Sequence, residues 1–573
     1  MSTQLEIASR LIDCRRYLEA LDILESPPFH PSSDWLVQHR RCLARMLRFA
    51  EAAEVGRRVL AGDDVPAVEW FRQSQILVRA GLLQEAVQAA GQALVRSPQA
   101  AFLPPLIEAL LRDPRLMQMA GPLLEALAEQ RVETPAGTEL HDGGMQGDAS
   151  VHVPMRLPYY APLCADHPFV MGWVHQTSSP RFLIGQGPAD FRGLSDALNF
   201  ARKHFIKLLH LHPTVTVEYA AAYVSSRFES LLYHSPGSLI DFMSMAVMSL
   251  GQRPYVLAFD YIPSLFHPFF AYEDMAVDRK SPFYWIVREF LENSACLAII
   301  TTYASSGDML ERYFSSQHIR KKCVFINPCF SIDESMNERE REDVAERETN
   351  TLLFTSSRHA TGENFYARGG VDVLNTFEYL ASSFPDLRLI LRSPLPATLS
   401  SRLRQLVETH PRIEHYPDPL PWPAFRRLFQ RASIFALPGV TAYRNGLVQA
   451  MGWGVVPLVS DGAHMADLVE DGVTGTIVPG RAALSRFDEA SGCMIQRWAC
   501  LLQETDAPAD PVFAARYRDA LRGLLEDPNR LAQLRQANMS RPNLNRMTTD
   551  DLIRFQSTIS AALDQARCRK ISG

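Results

Sequence analysis

The sequence predicts an α/β protein in which two consecutive doubly wound domains follow an all-α helical repeat domain. Three observations point there. A short motif recurs three times near the N-terminus. Short apolar runs alternate with helical periodicity through the rest of the chain. Two polar stretches separate the three regions. At 573 residues the chain is also longer than one hydrophobic core usually organises.

The repeat comes first. Tyr17-Leu-Glu-Ala20 recurs as Phe49-Ala-Glu-Ala52 and as Leu83-Gln-Glu-Ala86, at intervals of about 33 residues, the period of helical-hairpin arrays. In the third copy Ala86, Ala90 and Leu94 share one helix face by four-residue steps. Pro66 and Pro98 fall where helices should stop. The pattern resembles tetratricopeptide repeats, without that family's tryptophan and Leu-Gly positions. A stacked array presents an extended concave surface, suited to a protein or peptide.

Composition changes at Thr134 to Ser150, where Pro135, Gly137, Gly143, Gly144 and Gly147 sit among polar residues, the pattern of a linker. It changes again at Ser335 to Asn350, where Glu338-Arg-Glu-Arg-Glu342 alternates in charge, as solvated segments do. The expected organisation is a repeat domain at 1–130, a linker at 131–152, α/β domains at 153–334 and 351–546, and a terminal helix at 547–573. Thr548, three residues before Asp551, opens that helix with an N-terminal capping pattern.

In the last α/β region Leu352–Phe354, Leu387–Leu391, Ser433–Leu437, Val455–Val459 and Thr476–Val478 read as strands. Val371–Leu380 and Leu403–Thr409 read as helices between them. In the middle region Val215–Tyr219, Tyr255–Phe259 and Leu297–Ile300 read as strands. Two such domains define a cleft, with ligands at the carboxyl ends of the strands.

Composition narrows the function classes. Acidic residues outnumber basic ones, 64 to 58, for a net charge of −6. That argues against a nucleic-acid binder. No apolar run approaches the roughly 20 residues that span a bilayer, and Met1 to Leu11 lacks the pattern of a secretory signal. The nine cysteines are scattered, with neither disulfide nor zinc spacing. The expectation is a reduced, cytoplasmic protein without a transmembrane segment. Arg202-Lys203 and Arg320-Lys-Lys322 are the clusters available for peripheral membrane contact.

The most informative stretch runs from Phe435 to Pro479: strand, loop at Pro438-Gly439-Val440-Thr441, helix through Gln449-Ala-Met-Gly-Trp-Gly454, strand, and a turn at Ser460-Asp-Gly462. Asn445 and Gly446 lie where the helix begins. Free N–H groups and the helix dipole there favour an anion such as a diphosphate.

Gln449 through Ser460, with Leu468-Val-Glu-Asp-Gly472 and Thr474-Gly475 through Pro479, resembles the nucleotide-sugar signature of retaining GT-B glycosyltransferases, family four in particular. The resemblance implies a GT-B architecture of two Rossmann-like domains. It also implies transfer of a sugar from a nucleoside diphosphate sugar, without a further cofactor or a metal. Two positions depart from the family. Its first Glu, which contacts the donor sugar, falls at Thr441, and its second, which accepts from ribose hydroxyls, at Gln449. Gln449 keeps an acceptor oxygen without the charge. At Thr441 a hydroxyl replaces a carboxylate near developing positive charge.

Thr355-Ser-Ser-Arg358 and Arg368-Gly-Gly370 resemble the family's turn and basic residue. By that resemblance Arg368, with Arg358 as a second cation, contacts the diphosphate. Tyr233-His234 and Pro254 to Asp260 resemble its acceptor-side strands, so His234 and Asp260 are expected to orient the acceptor hydroxyl. Phe325-Ile-Asn-Pro328 resembles the close of that domain, and Gly185-Gln-Gly187 is a candidate cleft loop.

The expected function is therefore transfer from a nucleotide sugar to a protein recruited by the repeats, or to a glycan or lipid-linked glycan. The alternative, motivated by loss of both motif carboxylates, is a degenerate GT-B protein that acts as a scaffold through its repeats.

Overall fold

The computed structural model describes residues 2–572 except 14–16, 27–31, 63, 130–149, 154–180, 185–190, 229–230, 233–237, 245–249, 252, 267–274, 328–349, 357–361, 441, 443, 498–500, 502–507 and 541–547. Each copy of the N-terminal motif opens the second helix of a pair. α1 (Ser2–Asp13) pairs with α2 (Tyr17–Leu24), α3 (Ser33–Arg45) with α4 (Phe49–Val59), and α5 (Ala67–Arg79) with α6 (Leu83–Arg96). The alanine after the shared Glu is the contact point: Ala20, Ala52 and Ala86 are completely buried, and a methyl there lets two helix backbones approach closely.

The turns inside the second and third hairpins use left-handed backbone. Gly81 has φ +77° and Leu47, one repeat earlier, φ +60°. After them Leu82 N–H donates to Leu77 O and Arg48 N–H to Leu43 O, both at 2.9 Å, closing the preceding helix as a Schellman turn does. α7 (Pro104–Arg112) and α8 (Met117–Ala128) complete the all-α part. α7 packs on the helix Val217–Phe228, so the repeats and the first α/β layer share one core.

That helix corrects one expectation. Val215–Tyr219 reads as a strand because Val215 and Val217 flank Thr216, yet Val217 begins a helix. Ala220, Ala221, Val224 and Phe228 bury one face of it at helical spacing. The strand that fills the sheet is β3 (Ser238–Ser244), which follows it.

The first sheet has six parallel strands in the order β2-β1-β3-β4-β6-β7. β1 is Ser150–Val153, within the expected linker for its first three residues, and β2 is Arg181–Ile184. β4 is Tyr255–Phe259, β6 Cys296–Thr301 and β7 Cys323–Phe325. The second sheet runs β10-β9-β8-β11-β12-β13, also all parallel. Its strands are β8 (Thr351–Thr355), β9 (Arg388–Arg392), β10 (Ile413–Tyr416), β11 (Ile434–Leu437), β12 (Val456–Ser460) and β13 (Thr476–Val478). β8 and β11 are buried along their whole length, as strands covered on both faces must be. Strand order reverses between them, so the ligand crevice of this sheet lies beyond their carboxyl ends.

Two devices tie the two α/β units together. The C-terminal helix Thr549–Ser572 returns to the first sheet, where Phe555, Ile559, Ala562, Leu563 and Ala566 pack on Val151, Ile240, Val256 and Ile300. Its start is a reciprocal cap: Asp551 N–H donates to Thr548 Oγ1 at 3.1 Å, and Thr548 N–H donates back to Asp551 Oδ2 at 3.0 Å. The second device is a three-stranded antiparallel sheet. β5 (Met275–Val277) comes from the first α/β unit, and β14 (Ser485–Asp488) and β15 (Cys493–Gln496) come from the second. Among the described residues no helix is long and apolar enough to cross a membrane. Of the basic clusters, Lys322 donates to the last carbonyls of the helix Pro282–Glu292 and its cap, Leu291, Glu292 and Asn293, and Arg320 pairs with Asp308 at 2.9 Å.

Gly81 has open space where a Cβ would stand, so a substitution there meets only backbone strain. Gly81→Leu lowers the urea stability of the helical region by about 1 kcal/mol. Leu47→Gly does not lower it, because the strain it removes offsets the added chain entropy. Equal losses for both would show that the turn conformation is not what these positions require.

Candidate functional site in the cleft

Three loops meet beyond the carboxyl ends of the second sheet. The turn Arg368-Gly369-Gly370 leads into the helix Gly370–Ala381, with Gly369 at φ +83° as its cap. A Cβ on Gly369 would lie 2.6 Å from the Pro438 carbonyl oxygen, so only glycine lets this turn close on the loop after β11. Val440 N–H donates to Ala367 O at 3.0 Å. The same loop is laced to the turn after β12: Ala442 N–H donates to Ala463 O at 2.9 Å and Ala463 N–H to Val440 O at 3.0 Å. Ser460 Oγ donates to Gly439 O and accepts from Gly462 N–H.

Behind this face, Asp461 Oδ1 accepts three backbone N–H groups, from Gly480, Arg481 and Ala482. Arg481 pairs in the interior with Asp372 and lies over the Phe513 ring, 4.2 Å from its centroid. Burial pushes the Asp372 carboxyl up to about 6 against the pull of Arg481. This pair anchors the helix that starts at Gly370.

The segment after β6 enters the cleft from the first unit and is gripped by the second. Arg444, the first residue of the helix Arg444–Gly452, donates to Thr302 O and, at 2.8 Å, to Asn327 Oδ1. Its guanidinium lies 5.3 Å from the centroid of the Tyr303 ring. The His464 ring stacks on Tyr303 with centroids 4.3 Å apart and planes 9° apart. Ser305 Oγ donates to Asp467 Oδ2 at 2.7 Å, and His464 Nδ1 stands 2.9 Å from that oxygen and 3.2 Å from Ser305 Oγ. His464 holds φ +65°, a sparsely used conformation for a residue with a side chain, of the kind that clusters at functional sites. Asn327 in turn donates to Asp551 from its backbone and side chain, which joins the C-terminal helix to the same network.

The electrostatics follow from burial. Desolvation pulls Arg444 down to about 10, so it stays charged at neutral pH. It pushes the Tyr303 hydroxyl well above its ordinary range. Burial also raises Asp467, but hydrogen bonds from His464 and Ser305 outweigh it and the net shift is downward. For Asp260, just past β4, burial wins and the carboxyl rises, although Tyr261 N–H, His464 and Arg368 oppose it. The charge of Arg368 acts on both Asp260 and Tyr303.

Of the residues expected from sequence, Asp260 lies just past β4 and Arg368 in the turn before the helix Gly370–Ala381. Asn445, Gly446 and Gln449 lie on the helix that Arg444 opens; Gly446 is buried, and Asn445 and Gln449 are half-buried. Thr441, His234, Arg358 and the Gly185–Gly187 loop lie outside the described residues. Sequence reasoning did not single out Arg444, Tyr303, Ser305, His464 or Asp467. The available signal was position: Arg444 adjoins Asn445, and His464 and Asp467 follow the turn at Ser460-Asp-Gly462.

A cavity of about 490 Å³ opens beside this network, lined by Ser305, His464 and Asp467 and by β14 residues including Phe487. Its size suits a small ligand.

No protein-family model matches the chain, and no curated protein matches it. Among solved structures it is similar to an O-GlcNAc transferase mutant from Thermobaculum terrenum at 14% identity, covering 99% of this chain and 98% of that one, with a TM-score of 0.35. It is similar to Anabaena Alr3699/HepE in complex with UDP and glucose at 12% identity, covering 72% of this chain and 100% of that one, TM-score 0.42. It is also similar to the catalytic domain of starch synthase IV from Arabidopsis thaliana, bound to ADP and acarbose, at 11% identity, covering 73% and 100%, TM-score 0.40. At these identities and scores the likeness assigns no residue.

Arg444 is a buried charged donor to two acceptors on the first unit. Arg444→Met therefore destabilises the folded chain by about 3 kcal/mol in calorimetry, because Asn327 and the Thr302 carbonyl lose a buried charged donor. Arg444→Lys recovers less than half of that, since an ammonium lacks the planar fork that serves both acceptors. Full rescue by lysine would mean that charge alone matters.

Proposed function

We propose that the protein is a glycosyltransferase that uses a nucleoside diphosphate sugar, resembling the retaining family-four enzymes, and needs neither metal nor further cofactor. The observation that carries this reading is the lacing of Arg368-Gly369-Gly370 to Pro438-Gly439-Val440 at the strand-order reversal of the second sheet, in the chain that also holds the Gln449-to-Pro479 motif. A diphosphate seated there meets Arg368, whose planar fork suits phosphate oxygens. It also meets the N-termini of the helices Gly370–Ala381 and Arg444–Gly452, the latter at Asn445 and Gly446. Arg358 is the second cation in this reading.

Gln449 accepts from the ribose hydroxyls and Thr441 faces the donor sugar. Asp260, with His234, faces the acceptor hydroxyl from the opposite side. Fixed cations and helix dipoles stabilise charge that develops on the leaving diphosphate, and they need no rearrangement when it does. The acceptor is a protein recruited by the tetratricopeptide-like repeats, with a glycan or lipid-linked glycan as the other acceptor classes, and the reaction takes place in the cytoplasm. A second reading is kept because neither motif carboxylate is present: with Thr441 and Gln449 in their places, the cleft binds a nucleotide without transferring sugar and the repeats act as a scaffold.

Turnover of a panel of nucleoside diphosphate sugars separates the readings. One donor is expected to be hydrolysed or transferred, and Arg368→Ala is expected to lower kcat/KM for it at least about tenfold. No turnover by the wild-type chain with any donor would sink the transferase reading and leave the scaffold.

Asp260 supplies a pH test. Its raised carboxyl must be ionised to accept a proton, so activity falls with acid at a pH above the ordinary carboxylate value of about 3.9. Asp260→Asn removes that acidic limb and lowers kcat by about a hundredfold. An unchanged limb in the variant would take Asp260 out of the chemistry.

A further inference from the structure

The helical repeats carry a second concavity, remote in sequence from the motif that defines the cleft. It encloses about 760 Å³ between α3, α5, the start of α7 and the helix Val217–Phe228. Five arginines line it: Arg40, Arg41, Arg45, Arg72 and Arg79. Two carboxylates offset them in part. Glu69 pairs with Arg40 and, at 2.6 Å, with Arg72, and buried Glu108 lies in the wall. Three positive charges remain in excess in a chain whose net charge is −6. Such local concentration against the overall balance marks a surface built for an anionic partner.

The arginines differ in what they offer. Arg40 is 2% exposed, and its Nη1 has no hydrogen-bond partner among the described residues. A buried guanidinium nitrogen with a bond unmade costs stability unless a ligand supplies the acceptor. Arg45 and Arg79 are exposed and form no salt bridge among the described residues, so they stand ready at the rim. Gln38 and Gln75 add amide groups to the wall, and Phe49 and Ile76 add apolar surface. Amides suit the N–H and C=O groups of an extended backbone, and apolar patches suit side chains between its charges. A bare phosphate or a nucleic-acid strand has no use for the apolar part, and the acidic chain as a whole repels a long polyanion.

We propose that this groove docks an extended, acidic polypeptide segment, with carboxylates on Arg40, Arg45 and Arg79. The proposal deepens the recruiting role given to the repeats and rests on that reading only for what becomes of the bound chain. Ser225 and Ser226 on the far wall belong to the first α/β unit, so a docked segment touches the repeats and the unit that bears Asp260 together.

The test uses the full-length chain and a fluorescently labelled twelve-residue peptide with Glu at alternate positions, followed by anisotropy. A Gln-for-Glu version of the peptide and a single-stranded oligonucleotide of equal charge are compared. The acidic peptide is expected to bind, with affinity falling steeply between low and physiological salt, and the Gln version to bind at least about tenfold more weakly. Arg45→Glu with Arg79→Glu, both at the exposed rim, is expected to weaken the peptide by about a hundredfold or more and to leave turnover of the donor sugar nucleotide unchanged. Arg40→Met, with folding checked by circular dichroism, weakens it as well. Equal binding of the two peptides, indifference to the Arg45/Arg79 change, or tighter binding of the oligonucleotide would overturn the proposal. Peptide binding without donor turnover would fault the transferase reading and leave the groove standing.

Discussion

Four residues after β6, Thr302 to Ser305, hold this molecule in one working shape. They belong to the first α/β unit, yet Arg444, His464 and Asp467 of the second unit grip them. A guanidinium in such a buried position is tolerable because its two terminal nitrogens reach acceptors and the Tyr303 ring lies beside it. The consequence is geometric. Arg444 opens the helix that carries Asn445, Gly446 and Gln449, so the anchor that joins the two units also fixes the helix start that faces the cleft. Asn327 and Asp551 extend the network to the C-terminal helix, which covers one face of the first sheet. The hairpin β14–β15 makes a separate backbone tie to β5. Relative movement of the sheets must therefore work through these ties, and His464, held at positive φ, belongs to the first of them.

The second constraint is the close approach of loops at the strand-order reversal. Gly369 lets the helix at Gly370 begin against the Pro438 carbonyl, and Ser460 binds the loop after β11 to the turn after β12. Buried strands fix where these loops start, and the Arg481–Asp372 pair fixes the helix behind them. The result is a rigid rim whose charge comes from Arg368 and from helix N-termini. Asp260, just past β4, is a carboxyl whose ionisation burial has made harder. The proposed transfer from an anionic donor uses the cationic rim and this carboxyl together.

Much of this was legible in the sequence because local pattern and tertiary role agree. The three Glu-Ala copies mark true helix starts, since the buried alanine is needed at each crossing. β4, β6 and β8 to β13 are apolar runs bounded by turns, apart from the half-polar β10, which the strand reading passed over. Val215–Tyr219 was misread because two valines around a threonine favour a strand locally, whereas the alanines after them pack as a helix against α7. β3 was passed over because Asp241 interrupts its apolar run and serines stand at both of its ends. β5, β14 and β15 are three or four residues long, and β5 finds its partner β15 only across more than two hundred positions. The same holds for the site. Arg368 was visible as a motif residue, but Ser305 meets His464 across 159 positions, and no local pattern records such a meeting. Arg444 was passed over beside the residues of interest, because burial of a charge is decided by the other domain.

The central claim is that the three laced loops form the seat of a nucleoside diphosphate. Hydrogen exchange of the full-length chain, with and without each of a panel of nucleoside diphosphates, tests it most directly. The account predicts that one nucleotide slows exchange in 367–370, 438–442 and 460–464 and at the start of the helix Arg444–Gly452, with the helical repeats unchanged. Protection confined to the repeats, or none with any nucleotide, would contradict it.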